Sequence, residues 1–330
     1  MHFTTILFLP LRNARRKVLN SIMTKKIMYG ITLYTMDLPS VLIAIVNWNG
    51  KNDLLECLAS IMKLNYPKDN CKILVIDNKS NDGSQAAVSL YYPEVSLIEN
   101  ERNLGYVRAV NQGIAYGIDR GVDYIWVFNN DVAVEEDSLK RLIEVGQQDE
   151  NIGVIAPVVY SYSNPETIDN IGYKINFWTG RLKKLKYGRD IFRNKGDEIA
   201  NVDSILGCSN LIKTSVFKKI GSFQTLYGVY FEETDFNVRA AQKGFRVVVV
   251  KEARVWHKNA STMNKFIFRR AYLLLRNLFL FELLNAKLMH LSVFIPYYFF
   301  VHIPYFLLRG GVYGLLVKLT ERKRKQQNNF

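Results

Sequence analysis

Glu232, Glu233 and Asp235 place three carboxylates in the run YFEETDF, among the aromatic residues Tyr227, Tyr230, Phe231 and Phe236. A carboxylate partly withdrawn from water keeps its proton to higher pH, so a member of this cluster suits general-base work near neutrality. The run also reads as the start of a helix, where the macrodipole favours negative charge, and charge complementarity alone is the competing explanation. Asp131, in NNDV (Asn129 to Val132), is a hard oxygen ligand at a strand end, suited to a divalent cation that also holds diphosphate oxygens. It could equally cap the helix that follows. His257, closing ARVWH, is one of only four histidines and becomes a metal ligand only in the company of these groups. Asp77, followed by Asn78, Ser80, Asp82 and Gly83, offers a carboxylate to a base N–H or to ribose hydroxyls; a plain surface turn has the same composition.

The elements that must carry these residues alternate. VLIAIV (Val41 to Val46), KILVID (Lys72 to Asp77), VSLIEN (Val95 to Asn100) and YIWVFN (Tyr124 to Asn129) read as buried strands, and Ile152 to Val159 as a fifth. Between them, Asp53 to Met62, the segment bearing Leu104, Val107, Val110, Ile114 and Ile118, and Glu136 to Gln148 read as helices. Such alternation predicts an α/β fold with a mainly parallel sheet covered on both faces, whose ligands bind beyond the carboxyl ends of the strands. Asn47 to Asn49, Asp77 to Ser84 and Asn129 to Asp131 all fall there. The stretch Tyr160 to Ile199 reads as hairpins and an acceptor-side loop. YFEETDFNVRAAQKGFRVVVV reads as loop, helix, glycine stop and strand.

From about Phe266 the chain turns apolar, and Leu288 to Leu308 runs without Asp, Glu, Lys or Arg between Lys287 and Arg309. A membrane span needs about 20 such residues. Pro296 and Pro304, with two histidines, suit an interfacial or re-entrant helix pair at least as well, and a buried C-terminal helix of the globular domain is the competing reading. Residues 1–38 are expected to form an N-terminal extension, since the apolar patch FTTILFLPL precedes its basic run and so reverses the order of a secretory signal. An interfacial segment and a start set too far upstream are both open there. Three units follow: 1–38, a catalytic domain over 39–265, and an apolar helical extension with a basic tail over 266–330.

The 330 residues carry 44 Lys and Arg against 30 Asp and Glu, a net charge of +14. Phosphate ligands or an anionic membrane would balance it. Nucleic acid is not expected as a partner, because there is no helix-turn-helix pattern, zinc-finger spacing or basic stripe with interleaved aromatics. Cys57, Cys71 and Cys208 lack metal or disulfide spacing and suit a reducing compartment. A nicotinamide dehydrogenase should show G-x-G-x-x-G after the first strand, and a nucleotidyltransferase a Gly-rich phosphate loop; the chain has NWNGKND. A non-catalytic glycan-binding or nucleotide-sugar-binding protein stays open.

In order and spacing, VLIAIVNWNG, ILVIDNKSNDGS, NLGYVRAVNQGI, VFNNDV, GCSNLIKTSVFKKIGSF, YFEETDFNVRAAQKGF and ARVWH resemble the family-2 glycosyltransferases of GT-A fold, in their rhamnosyltransferase-like branch, over Ser40 to Arg276. The resemblance implies that Asn47 and Asn49 line a nucleotide pocket, with Asp77 on the base or ribose and Asn78 and Ser80 beside it. It implies donor-side roles for Asn103, Gly105, Asn111, Asn129 and Asn130. Asp131 would take Mg²⁺ or Mn²⁺, with His257 as its partner. Glu233 falls where the family's catalytic base is usually Asp, and Glu232 and Asp235 are the alternatives. Arg239 fits the helix position that steadies the acidic cluster on the acceptor side. Trp178 and Tyr227 are read as acceptor contacts from aromatic packing on sugars. The implied reaction is metal-dependent, inverting transfer from a nucleotide diphosphate sugar to a glycan or lipid-linked glycan hydroxyl, at the cytoplasmic face of the membrane. The branch points to dTDP-rhamnose, with other UDP- and GDP-sugars next.

Overall fold

The computed structural model describes residues 23–28, 31–36, 38–258 and 267–308; the apolar patch and basic run near the N-terminus, Ser261, Arg309 and the basic tail lie outside them. Two compact units divide the chain, Met1–Pro39 and Ser40–Phe330. In the first, β1 (Met23–Met28) pairs antiparallel with β2 (Ile31–Met36).

The second unit opens with β3 (Val41–Asn47), an apolar strand buried on both faces. α1 (Lys51–Ile61) then leads to β4 (Cys71–Asp77), and α2 (Ser84–Tyr91) to β5 (Ser96–Glu99). α1 buries Leu54, Cys57, Leu58 and Ile61, a helical stripe that packs with Ile43, Ile45 and Val75 on one side of the sheet. α3 (Tyr106–Asp119) packs Val107, Val110 and Ile114 with Leu42, Ala44, Leu74 and Ile76 on the other. It sits close: a Cβ at Gly113 would lie 2.9 Å from Ala44 Cβ, so only glycine admits this helix at that distance.

β6 (Tyr124–Asn129) returns to β3, and β7 (Val132–Val134), α4 (Ser138–Gln148) and β8 (Ile152–Ser161) follow. The expected hairpin region holds β9 (Ile168–Asn170), β10 (Tyr173–Asn176) and β11 (Arg181–Lys184), then β12 (Ile199–Asn201). Next come β13 (Ser209–Lys213), α5 (Thr214–Ile220), α6 (Glu232–Gln242) and β14 (Arg246–His257). The large sheet runs β12-β14-β8-β13-β6-β3-β4-β5, with β7 added on β14 and β9 on β8. β5, β4, β3 and β6 are parallel, as are β8 and β14. β8 forms where the apolar run predicts it but does not pair with β6; antiparallel β13 stands between them. All three cysteines are free.

α7 (Ile267–Asn285) and α8 (Leu288–Tyr297), which continues through a π-helical turn at Tyr298–His302, are the last elements among the described residues. The π turn directly follows Pro296, which has no N–H to give to the helix ladder. The helix Leu288–Leu308 is long and apolar enough to cross a membrane, yet only 11% of its most apolar stretch is buried, which separates it from a core helix. Phe294 and Tyr298 turn inward, onto a cluster with Tyr227, Phe231, Leu278 and Phe281. Leu288, Phe300, Leu307 and Leu308 are exposed.

Glu282 of α7 is fully buried, and neither carboxylate oxygen has a partner. Burial pushes its pKa from the ordinary 4.5 to about 8. The neutral acid is the form the fold accepts, so its contribution is complete below about 4.5 and is lost as pH rises through about 8. Glu282→Gln, neutral at every pH, should therefore melt progressively higher than wild type as pH rises from 5.5 to 8.5. Melting temperatures that keep a constant gap across that range would sink this account.

Candidate active site

β3 and β4 pair in register, with Asn47 opposite Asp77, so both side chains arrive at the same level beyond the sheet. Asp77 is 1% exposed. Its Oδ2 accepts from Asn47 Nδ2 at 2.9 Å and Ser80 Oγ at 2.7 Å, and its Oδ1 accepts from the Ser80 N–H at 2.8 Å and Gln85 Nε2 at 2.7 Å. Asn47 Oδ1 in turn accepts from Asn130 Nδ2 at 2.7 Å, which ties β3 to the end of β6. Asn49, in the left-handed region at φ 50°, gives its N–H to Ser80 Oγ and accepts from the Asn81 N–H, both at 2.8 Å. Asn78 accepts from Asn100 Nδ2 at 3.0 Å and donates to the Gly105 carbonyl at 3.4 Å, while Asn103 Oδ1 takes the Gly105 N–H at 2.8 Å. Gly105 (φ 82°, ψ 163°) occupies backbone space open essentially to glycine, and α3 starts from it.

The pairing of β7 with β14 sets Val132 opposite His257 and so brings Asp131 beside the imidazole. Asp131 Oδ1 lies 3.3 Å from His257 Nε2, and His257 Nδ1 is buried without a partner. Lys258 is fixed next to them by Asp53 at 2.8 Å and Glu56 at 2.6 Å. In NNDV, Asn129 Oδ1 accepts from Tyr106 and the Asn130 amide is spent on Asn47. Asp131 is thus its one carboxylate, and among the described residues no three or more His, Cys, Asp or Glu gather as metal ligands. One carboxylate and one imidazole fit a hard divalent cation that draws its other ligands from diphosphate and water.

α6 begins after two successive left-handed residues, Tyr230 (φ 69°) and Phe231 (φ 71°), a conformation costly for bulky side chains. Glu232 and Glu233 each hold a buried oxygen, Oε2, without a partner. Burial, then the neighbouring Glu233, raises Glu232 well above the ordinary carboxylate range. Burial lifts Glu233 to about 7, against the backbone N–H groups of Glu233 and Thr234. Gly207 faces Glu233 so closely that an added Cβ would stand 3.4 Å from its Cγ and Cδ.

Tyr106 joins the two halves. Its hydroxyl donates to Asn129 Oδ1 at 3.1 Å and reaches the Gly207 carbonyl at 3.5 Å. Burial, then Glu232 and Glu233, raises its pKa, so the phenol stays a donor. The helical pattern of Leu104, Val107, Val110, Ile114 and Ile118 does not single it out. The signal was its place as the first helical residue after Gly105, at the carboxyl edge of the sheet.

The remaining candidates stand apart. Asp235 is fully buried and saturated by Arg239 Nε at 2.7 Å, Tyr227 OH at 3.2 Å and Asn285 Nδ2 at 3.0 Å. Arg239 also bonds the carbonyls of Ile220 and Ser222, and Tyr227 is fully buried. Asn111 pairs with both backbone groups of Phe223, at 2.8 and 3.2 Å. Trp178, on the β10–β11 turn, is 41% exposed and meets His290 edge-on.

The family model of glycosyl transferase family 2 matches residues 40–220. The chain belongs to that family. It is 28% identical over 212 residues to the N-acetylglucosaminyl-diphospho-decaprenol L-rhamnosyltransferase of Mycobacterium tuberculosis, covering 58% of this chain and 68% of that one. Two solved structures share its fold. GalNAc-T7 with UDP, GalNAc and Mn²⁺ superposes at a TM-score of 0.58 and 18% identity, over 68% of this chain and 45% of that one. The mannosyltransferase PcManGT of Pyrobaculum calidifontis, with GDP-Man and Mn²⁺, gives 0.57 and 17%, over 83% and 73%. This glycosyltransferase therefore has the GT-A fold, and Glu232, Glu233 and His257 lie beyond the residues that the family model matches.

Replacing Asp77 by Asn would turn a four-fold acceptor into a group with two donors of its own, facing donors. An unsatisfied buried polar group costs about 1–3 kcal/mol. Asp77→Asn should lower unfolding stability by at least about that much, measured in urea. A loss below about 0.5 kcal/mol, the level of an ordinary surface change, would show that the network does not organise the loop.

Proposed function

We propose that this glycosyltransferase moves rhamnose from a nucleotide diphosphate to a hydroxyl of a glycan or lipid-linked glycan, inverting the anomeric carbon. Glu233 carries the proposal, because its carboxylate has a buried, unpartnered oxygen and a pKa of about 7, and it is joined through Gly207 and Tyr106 to the strand end that bears Asp131. The Glu233 carboxylate takes the acceptor's hydroxyl proton as that oxygen attacks the anomeric carbon. The bond from that carbon to the diphosphate oxygen breaks, and the nucleoside diphosphate leaves with the electron pair. Burial and the neighbouring Glu233 raise Glu232 well above the ordinary carboxylate range, so the two side by side favour one negative charge before the reaction rather than two. Asp131 and His257 would hold Mg²⁺ or Mn²⁺, which when bound supplies compensation for the charge gathering on the leaving diphosphate. Tyr106 remains a neutral donor between the two sides.

The mycobacterial relative, which carries rhamnose to a diphospho-decaprenol acceptor by its name, supports rhamnose and a lipid diphosphate acceptor. Mn²⁺ beside UDP and beside GDP-Man in the two structural neighbours supports the divalent cation and makes UDP- and GDP-sugars the next donors to try. The exposed apolar side of Leu288–Leu308 and the net charge of +14 support peripheral docking at the anionic cytoplasmic face of a membrane. On this reading 39–265 form the catalytic domain and 266–330 the membrane-associated extension.

Glu233→Gln should keep donor affinity within about threefold and lose turnover by about 10²-fold or more. Because the base must be ionised, wild-type kcat should fall as pH drops below about 7. Unchanged turnover in the variant would remove Glu233 from the role. Nucleoside diphosphate release from a panel of nucleotide sugars, with lipid-linked acceptor, should require Mg²⁺ or Mn²⁺ and stop in chelator; full release in chelator would sink the metal assignment.

A further inference from the structure

α7 grips the loop that launches α6. Asn277 is fully buried, and its Nδ2 donates to the carbonyls of Tyr227 at 2.9 Å, Val229 at 2.8 Å and Tyr230 at 2.9 Å. An amide nitrogen has two hydrogens, so one of them is shared between two of the three carbonyls. The amide's orientation is set by Arg276, whose Nη1 donates to Asn277 Oδ1 at 3.0 Å while its Nη2 bonds the Leu226 carbonyl at 2.7 Å. Two residues past the acidic pair, Asn285 Nδ2 reaches Asp235 Oδ1 at 3.0 Å. α7 therefore holds the chain on both sides of Glu232 and Glu233. The same loop touches the other half of the site, where the Gly228 carbonyl accepts the N–H of Val107, next to Tyr106.

Three carbonyls converging on one point repel one another unless a donor sits between them. Tyr230 and Phe231 are bulky residues in left-handed conformations, and nothing in their own chemistry favours that state. Phe231 also supplies the carbonyl that accepts the Asp235 N–H at 2.8 Å, the hydrogen bond that starts α6. If these peptides turned, the first turn of α6 would turn with them and carry both carboxylates.

We infer that Asn277 is a positioning residue for the catalytic carboxylates: by gathering the carbonyls of Tyr227, Val229 and Tyr230 it fixes the loop from which Glu232 and Glu233 project. This rests on Glu233 acting as the base. The C-terminal helices are then part of the active site's construction as well as a surface for docking.

The test is steady-state kinetics of Asn277→Ser, which keeps a small polar group but loses the three-way donor, beside Glu233→Gln and wild type. Asn277→Ser should lower kcat about tenfold or more, since a small misplacement of a reacting group is costly. Donor Kd and acceptor KM should stay within about threefold, because the Asn47–Asp77–Asn130 network takes its hydrogen bonds from the ends of β3, β4 and β6 and from α2, and the loop reaches that half of the site through one backbone bond at Val107. Adding Tyr230→Gly, which removes the cost of the left-handed conformation, should restore part of the lost kcat. Should Asn277→Ser fail to fold, Arg276→Met is the milder probe, with the same fall in kcat at constant KM expected on a smaller scale. Wild-type kcat in Asn277→Ser, or in Arg276→Met where the serine variant is unfolded, would overturn the proposal provided that Glu233→Gln is inactive. An active Glu233→Gln would instead overturn the base assignment on which it stands. A loss of donor binding in step with kcat would mark Asn277 as a general fold residue and count against positioning.

Discussion

A carboxylate can keep its charge out of water only where donors replace the hydration it gives up, and four donors do so at Asp77. Those donors come from the end of β3, from the turn after β4 and from α2. Satisfying one charge therefore fixes where three segments stop. Through Asn47 the constraint passes to Asn130 and so to the strand end that bears Asp131. The floor of the site is in this sense a single hydrogen-bonded object spanning three parallel strands. The register between β3 and β4 is what allows it to close.

The acidic pair at the head of α6 is built on the opposite rule. Asp235, two residues after Glu233, receives a guanidinium, a phenol and an amide, whereas Glu232 and Glu233 each keep an oxygen with nothing to bond. Within one turn of helix the fold satisfies Asp235 and leaves an oxygen of each glutamate without a partner. Burying them so raises their proton affinity toward working pH, which a base needs and a scaffold does not. Glu282 shows that burial alone has the same electrostatic effect without Tyr106, Asp131 or His257 nearby to give it chemistry. A raised pKa marks a site only when other reacting groups converge on it.

Local patterns were enough to find the parallel half of the sheet. The runs at Val41, Lys72 and Tyr124 are apolar without alternation, as doubly covered strands must be, and the structure ends them within a residue or two of where polarity returns. Asp131 and His257 were legible as candidates, and the register between β7 and β14 makes them neighbours. Three things were not legible. The reversal at β13 depends on pairing with strands some 50 and 80 residues earlier, and nothing within SNLIK encodes direction. Tyr106 carries the same amphipathic signature as any helix-face aromatic, and its meaning lies in what Asn129 and Gly207 present to it. Asn277 sits in an apolar helix that reads as membrane-facing, and its partners are backbone carbonyls, which have no identity in a sequence.

The placement of β13 and β14 also has a consequence for how the chain is made. β6 gains its second neighbour only when residues 209–213 arrive, and β8 pairs with a strand that ends at His257. A ribosome releases the nucleotide-side strands long before either partner exists, so the growing polypeptide must wait with the edge of β6 uncovered. Such an edge is an invitation to pair with other chains. Contacts between distant segments are also slow to form. The same reversed strand that unites the two halves of the sheet thus sets the period during synthesis in which the edge of β6 is open to mispairing.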